Sequence, residues 1–261
     1  MEKDTPDESK YTDDRRSISE ILFSLNLYGH KKEEIDYSFL CLETVDLWLS
    51  LNIGSWNYFS NKGIAYTFCI RGRRLLRAGQ FMLFKGYLPE SEILLRSLWE
   101  TLMTLTYIIE DPSEERAKKY SSFDYKSGWD FRLLTENLLG ENAYETYRNL
   151  SLYVHPTNLG RGKMFYINSF YKDSIHNYDY AGELLVTFGN KAVALCEVSN
   201  KIFDPKPEWI SKHNEIYQTD IFKKNYDKVS NLYNQGDPTI LALQKWINQF
   251  GVTEDESEGV G

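Results

Sequence analysis

The chain has 261 residues, of which 42% are hydrophobic and 15% are aromatic, and its formal net charge at pH 7 is −8. These values are those of a folded globular protein with one large domain, or one domain with appendages. The acidic balance argues against a general nucleic-acid coat protein, which would be basic, but it leaves room for a local basic groove.

Apolar residues recur every three or four positions through most of the chain, which predicts an all-α protein. Residues 1–16 are polar and predict a disordered tail. A first short helix over Ser17–Tyr28 is stopped by Gly29, and a second covers Glu33–Asn52. A third, longer helix covers Ser55–Gly86. Its candidate breaks are Gly63, Gly72 and Gly79.

The third predicted helix carries the densest basic cluster of the chain. Its members are Arg71, Arg73, Arg74 and Arg77. One interpretation is a solvated helix face whose charges pair with neighbouring acids. The other interpretation is a strip that binds phosphate groups.

The run Ile93–Glu110 follows a proline-led, acidic helix start and is the most apolar run of the chain. It holds Arg96 and Glu100, four residues apart. Charges in such a run are costly unless they are paired. Two alternatives stay open: an internal pair, or one or both side chains reaching across to the face that carries Arg148 and His155.

The second half of the chain predicts helices in Arg116–Leu139 and Glu141–Val154, a loop over His155–Phe170 and a strong helix over Tyr180–Phe203. Three shorter amphipathic helices follow. They cover Glu208–Tyr217, Asp220–Tyr233 and Pro238–Phe250. We therefore predict a helical bundle over residues 17–203, accessory C-terminal helices over 204–250 and an acidic tail over 251–261.

The stretch Tyr144–Pro156 combines an arginine and a histidine, Arg148 and His155. Residues seven apart lie nearly on one side of an α-helix, about 10 Å apart, so the two side chains can share a face. The proline after His155 places it at or beyond the helix end, where the helix dipole favours a protonated ring. A guanidinium near an imidazole suits cleavage at a phosphate, because one neutralises charge and the other moves a proton. A packing or capping role for the histidine is the alternative.

Other common chemical signatures are missing from the sequence. It contains no phosphate-binding P-loop, dinucleotide-binding glycine pattern or nucleophile elbow. The three scattered cysteines, Cys41, Cys69 and Cys196, indicate buried free thiols in a reducing cytosol. No spacing suggests metal ligands, so we expect neither a metal nor another cofactor. The polar N-terminus and the polar residues within Leu47–Ile70 lead us to expect a cytoplasmic protein without membrane contact.

Two sets of segments resemble known helical proteins. Arg148-Asn149, five further residues and His155 resemble the R-polar-x(4–6)-H motif of the HEPN superfamily. Leu95–Glu100 and Tyr107–Pro112 resemble segments of a large group of uncharacterised bacterial helical proteins. That group also carries a Y-x-x-L-S-x-Y-V-H-P segment, matched here by Tyr147–Pro156. The resemblance covers roughly residues 55–203.

The resemblance implies an antiparallel helical bundle, often dimeric, in which two Arg/His pairs meet at a shared cleft. Active HEPN proteins are metal-independent endoribonucleases of toxin–antitoxin, abortive-infection and other antiviral defence systems. On this chain His155 would assist proton transfer, Arg148 would stabilise charge on the scissile phosphate, and Asn149 would orient one of them or contact RNA. Glu100, beside Arg96, would anchor Arg148 or the partner of Arg148 in the bundle. Apart from the resemblance, the candidate RNA-binding residues are Arg73 and Arg77 of the basic cluster and Arg161 and Lys163. The last two are flanked by glycines that let the backbone approach phosphate closely, and an ordinary surface loop is the alternative for them.

We therefore expect a cytoplasmic, homodimeric HEPN-like endoribonuclease that cleaves RNA by attack of the 2′-hydroxyl. Its expected partners are an RNA substrate and an antitoxin or another defence-system protein. The alternative is a non-catalytic helical module that senses a ligand or a protein partner through the same cleft. The acidic net charge favours this alternative slightly, whereas the closeness of Arg148, His155, Arg161 and Lys163 in the sequence favours the ribonuclease.

Overall fold

A computed structural model describes residues 20–122 and 175–234, and every regular element in these two ranges is an α-helix. The all-α prediction is therefore confirmed for this part of the chain. In chain order the helices are α1 (residues 20–30), α2 (Lys32–Leu51), α3 (Asn61–Phe84), α4 (Leu88–Ile109), α5 (Glu115–Ser121), α6 (Ile175–Ser199), α7 (Pro207–Gln218) and α8 (Asp220–Asn234). Both tails, 1–16 and 251–261, and the predicted helix Pro238–Phe250 lie outside the described residues. None of the described helices is long and apolar enough to span a bilayer.

Helices α2, α3 and α4 follow one another in alternating directions. Early α2 contacts late α3, where the Gln80 side chain donates to the Ser38 hydroxyl over 2.9 Å. About two helix turns further along α2, Asp46 binds Arg73, which precedes Gln80 on α3. The two helices therefore run antiparallel. The short connection between α3 and α4 reverses the chain again, as expected for a helical hairpin.

Helix α6 runs parallel to α2 and completes the core. Near its start, Asp179 pairs with Lys31 at 2.5 Å, just before α2 begins. Just after its end, the Asn200 side chain accepts a hydrogen bond of 2.8 Å from the indole N–H of Trp48, near the end of α2. Helix α6 contacts α2, α3 and α4, while α2 and α4 lie on opposite sides of the α3–α6 pair. The buried aliphatic and aromatic side chains of these four helices form most of the hydrophobic core.

Two glycines of α3 permit its close approach to α6. A Cβ at Gly79 would lie 2.6–2.8 Å from three ring atoms of Phe188, and one at Gly72 would lie 2.3 Å from the Cδ1 of Leu195. Such distances are too short for a side-chain carbon unless the neighbour moves. At Gly79 the neighbour is the fully buried Phe188 ring, so this interhelical spacing requires glycine there, whereas at Gly72 it is the flexible end of Leu195, which can shift. The glycines are seven residues apart and share a helix face. They are packing residues within an unbroken helix, and neither is a helix break.

Several helix limits differ from the sequence predictions. Helix α6 spans Ile175–Ser199, where the prediction was Tyr180–Phe203. Helix α1 runs through Gly29 to residue 30, so this glycine does not stop the helix. Helix α3 begins at Asn61, six residues later than predicted, because Ser60 is its N-cap. The Ser60 hydroxyl accepts a 3.1 Å hydrogen bond from the backbone N–H of Gly63, which satisfies one of the free donors of the first turn.

Helix α1 packs across the turn between α3 and α4. The Tyr87 hydroxyl donates to the carboxylate of Glu20 over 2.5 Å, and the Phe23 ring lies 5.1 Å from that of Tyr178 on α6. Leu27 on the inner face is fully buried. The opposite face of α1, here called the outer α1 face, exposes four large apolar side chains. They are Ile21, Leu22, Leu25 and Tyr28.

The C-terminal helix α7 is attached to both α2 and α6. Lys212 pairs with Glu43 of α2 at 3.0 Å. The His213 ring stacks on Trp209 at 4.4 Å, and its Nε2 lies 2.7 Å from a carboxylate oxygen of Glu197 on α6. The stacking lies within α7, and the contact with Glu197 links this histidine to α6.

All three cysteines are free and buried, as the sequence predicts. The Cys69 sulfur lies 3.3 Å from the hydroxyl of Ser199, so its contact is with a neutral group. Burial raises the pKa of the Cys41 thiol to about 12 and raises the pKa of Cys196 well above its ordinary value. Cys41 and Cys196 are therefore protonated at neutral pH.

We expect the native chain to react with DTNB, a reagent for thiolates, far more slowly than free cysteine does. The reason is that the thiolate is the reactive species, and burial suppresses both its formation and its access. Absorbance of the released product at pH 8 measures the number of reacting thiols. We expect none within minutes in buffer and all three after unfolding in guanidinium chloride. A thiol that reacts in buffer as fast as free cysteine would contradict the buried arrangement.

Candidate functional site

The central residues of the predicted site lie in the part of the chain that the structure leaves undescribed. These residues are Arg148, Asn149, His155, Arg161 and Lys163. Their roles remain predictions. The described helices contain the supporting residues Arg96 and Glu100 and the basic cluster of α3, so the contacts of these residues can be described.

Arg96 and Glu100 form the internal pair that was one of the two sequence alternatives. The Arg96 Nε donates to the Glu100 carboxylate over 2.9 Å, and the two side chains are only 19% and 26% exposed. They lie on α4, where residues 91–109 include no exposed residue. A shielded pair at this spacing keeps each charge compensated within an otherwise apolar helix. The other alternative involves Arg148 and His155, which lie outside the described ranges.

A second acidic residue of α4, Glu92, is also buried and was not singled out from the sequence. It is 1% exposed, and the hydroxyl of Tyr180 on α6 donates to its carboxylate. Glu92 precedes Arg96 by four residues, as Arg96 precedes Glu100, so the three share one face of α4. This repeated spacing of charges within an apolar helix is the sequence signal that could have identified Glu92.

Lys191 of α6 is the most unusual ionisable residue of the described helices. Its amino nitrogen lies 3.4 Å from the centre of the Trp99 indole ring on α4. No ion pair joins it to a carboxylate in residues 20–122 or 175–234. Burial of the amino group lowers the pKa of Lys191 to about 7. The π face of the indole favours the ammonium form and opposes part of that shift.

The Lys191 site has two hydrogen-bond donors side by side. The indole N–H of Trp99 is also buried, and the described residues offer it no acceptor. An amine that is partly neutral near pH 7 can accept a proton or act as a nucleophile, in contrast to an exposed lysine. The sequence signal for this site was a single lysine in the apolar middle of a strong helix.

The basic cluster on α3 is divided between paired and solvated side chains. Arg73 binds the Asp46 carboxylate through two nitrogens, one of them at 3.1 Å. Arg77 is exposed, as are Arg71 and Arg74. The interpretation as a solvated face therefore fits the described residues: one arginine pairs with a neighbouring acid, and three extend into solvent. Phosphate binding by the three exposed arginines stays a prediction.

Comparison with known proteins gives one match. A family model described as a family of unknown function, DUF5677, matches residues 62–137, which are 76 of the 261 residues. The match includes most of α3, all of α4 and α5, and the segments Leu95–Glu100 and Tyr107–Pro112. It ends before Arg148. No curated protein and no solved structure matches the chain.

Proposed function

We propose that this chain is a metal-independent endoribonuclease of the HEPN type, acting in a toxin or phage-defence system. The observation that carries the proposal is the Arg148-Asn149 pair followed by His155 at the spacing of the HEPN motif. Consistent with it, the described residues form an all-α bundle, which is the fold class that the resemblance implies.

The proposed reaction is an internal transesterification of RNA. The 2′-hydroxyl oxygen attacks the adjacent phosphorus and loses its proton to a base, while the bond from phosphorus to the 5′-oxygen breaks. An acid returns a proton to that oxygen, so the products end in a 2′,3′-cyclic phosphate and a 5′-hydroxyl. His155 supplies acid–base help worth about 10²–10⁴-fold, and Arg148 stabilises the phosphate charge by on the order of 3–4 kcal/mol.

This mechanism requires two proton-transfer groups, and the motif supplies one histidine per chain. A homodimer that brings two motifs together provides both the base and the acid. We therefore propose that the active form is a homodimer, held in check by an antitoxin or another defence-system protein. A chain that stays monomeric by light scattering at micromolar concentration would count heavily against this mechanism.

We expect His155→Ala and Arg148→Ala each to lower RNA cleavage by about 10²-fold or more. The measurement is cleavage of a mixed RNA pool in EDTA, with the ends of the products identified by mass spectrometry. His30→Ala is the matched control, because His30 is exposed on α1 and its ring stacks on Tyr178 at the surface. Circular dichroism and light scattering should first show that all variants keep their helices and oligomeric state.

The result that supports the proposal is cleavage with cyclic-phosphate ends by the parent chain and the His30 variant, and its loss in the other two. Equal cleavage by all four proteins would place the activity elsewhere or in a contaminant. Absence of cleavage by a folded dimer, also after addition of phage-infected cell extract as a trigger, would move the assignment to the second candidate.

The second candidate is a non-catalytic helical module that binds a protein partner. The observation that favours it is the outer α1 face, on which Ile21, Leu22, Leu25 and Tyr28 are each more than half exposed. Apolar side chains grouped on one helix face are typical of a surface that binds another protein. The net charge of −8 points the same way.

A further inference from the structure

Helix α3 concentrates positive charge in an acidic protein. It contains five cations and no acidic residue over its 24 positions, whereas the whole chain has a net charge of −8. Two of the five are occupied by neighbours. Arg73 binds Asp46, and the Lys62 amino group lies 5.7 Å from the centre of the Trp56 ring.

The other three cations form a solvent-facing row, here called the α3 arginine row. It consists of Arg71, Arg74 and Arg77. All three are exposed, and none of them forms an ion pair in the part of the chain that the structure describes. At 1.5 Å per residue, the row extends about 9 Å along the helix. Their positions lie opposite the face on which α3 contacts the core through Leu76 and Leu83.

An exposed aromatic ring continues the row. Phe81 lies four residues after Arg77 and is 59% exposed. At this spacing the two side chains are neighbours on the same helix face. Positive charge beside an exposed ring is the combination that binds single-stranded nucleic acid, because the cations contact phosphates and a base stacks on the ring.

We propose that the α3 arginine row together with Phe81 binds the backbone and one base of single-stranded RNA. This inference rests on the proposed ribonuclease function, because it assigns to that function the surface that holds its substrate. It differs from the sequence prediction in two ways. Arg71 and Arg74 join Arg77 as phosphate contacts, and Arg73 is excluded because Asp46 already occupies its guanidinium.

The binding of phosphates predicts how salt should weaken the complex. Each phosphate neutralised on a single strand contributes about 0.7 to the slope of log affinity against log salt. Replacing all three arginines by glutamine should lower that slope by about 2 and weaken binding roughly 10-fold or more at low salt. Phe81→Ala should weaken binding about fivefold or more and leave the slope unchanged, because stacking releases no counterions.

The probe is a fluorescein-labelled, mixed-sequence single-stranded RNA of about 20 nucleotides, followed by anisotropy at several salt concentrations. All proteins carry His155→Ala so that the probe stays intact. The matched control replaces three exposed lysines by glutamine: Lys206, Lys223 and Lys224. It removes the same charge from another part of the surface. Arg73→Gln is a second control, with an expected change of less than twofold.

The proposal is supported if the arginine triple variant loses affinity and slope while the lysine triple variant keeps both. It is overturned if the two triple variants bind alike, if the parent chain does not bind the probe, or if polyglutamate competes as well as unlabelled RNA. Cleavage by the chain without His155→Ala is measured separately. If the row binds RNA but the chain does not cleave it, this inference stands and the proposed ribonuclease function fails. If the chain cleaves RNA but the arginine triple variant binds it as the parent does, the ribonuclease function stands and this inference fails.

Discussion

Replacing Lys191 by methionine should stabilise the folded chain, and the gain should be larger at pH 6 than at pH 9.5. Methionine keeps most of the apolar length of lysine and removes an amino group that is buried against Trp99 without a carboxylate partner in the described helices. We expect a gain of about 2 kcal/mol at pH 6. The lowering of the Lys191 pKa from 10.5 to about 7 corresponds to a penalty larger than 2 kcal/mol for the buried ammonium, since each pKa unit is worth about 1.4 kcal/mol. The indole face and the partial exposure of the residue reduce it.

The pH dependence follows from the direction of the pKa change. Between pH 7 and 10.5 the unfolded chain binds the Lys191 proton more fully than the folded chain does. The free energy of unfolding of the parent chain therefore rises with pH across this window, and the penalty of the buried ammonium is complete below pH 7. Urea unfolding at pH 6 and pH 9.5 measures the free energy of unfolding of the variant and of the parent. Titration of the other groups affects both proteins alike and cancels in the difference between them.

Lys206→Met is the control, because Lys206 is exposed just before α7. It should change the free energy of unfolding by less than about 0.5 kcal/mol at either pH. Equal stabilisation by Lys191→Met at both pH values would show that the gain comes from packing and not from the removed charge.

Gly79→Ala should destabilise the bundle by about 1–3 kcal/mol, although alanine is the better helix former. The added methyl group would lie 2.6–2.8 Å from the Phe188 ring, which is fully buried and cannot move without displacing its neighbours. The expected result is a lower thermal midpoint and a lower free energy of unfolding in urea, with an unchanged helix content at low temperature.

Gly29→Ala provides the matched control for this substitution. Gly29 also lies in a helix, but no heavy atom lies within 4 Å of a Cβ built there. Only the gain in helix propensity remains, so this variant should be more stable than the parent chain by up to about 1 kcal/mol. Opposite signs for the two variants support close packing of α3 on α6. If Gly79→Ala were also stabilising, the spacing between these helices would have to be wider than described.

The periodicity of apolar residues was sufficient to predict most helices to within a few residues. Helix α2 was predicted over Glu33–Asn52 and spans Lys32–Leu51, and α7 and α8 agree equally well. The glycines of α3 could not be interpreted in the same way. Whether Gly72 and Gly79 break a helix or allow a second helix to approach depends on Leu195 and Phe188, more than 100 residues away. Local sequence carries no information on such a contact.

The described part of the site shows the same limit. The Arg96–Glu100 pair was predictable because both partners belong to one helix and lie four residues apart. The contacts of Glu92 with Tyr180 and of Trp99 with Lys191 join α4 to α6, and only the folded arrangement of the helices brings them together. Arg148 and His155 remain predictions from the motif alone.

The position of α6 determines when the chain can first fold as it leaves the ribosome. Its residues cover faces of α2, α3 and α4, yet it ends roughly 150 residues after α2 does. At about 5–20 residues per second, synthesis leaves the α2 face uncovered for roughly 7–30 s and the faces of α3 and α4 for less time. During that time Leu98, Leu76 and Val45, all fully buried later, are open to chaperones or to other nascent chains. An expression fragment limited to residues 62–137 would stay in that unfinished state.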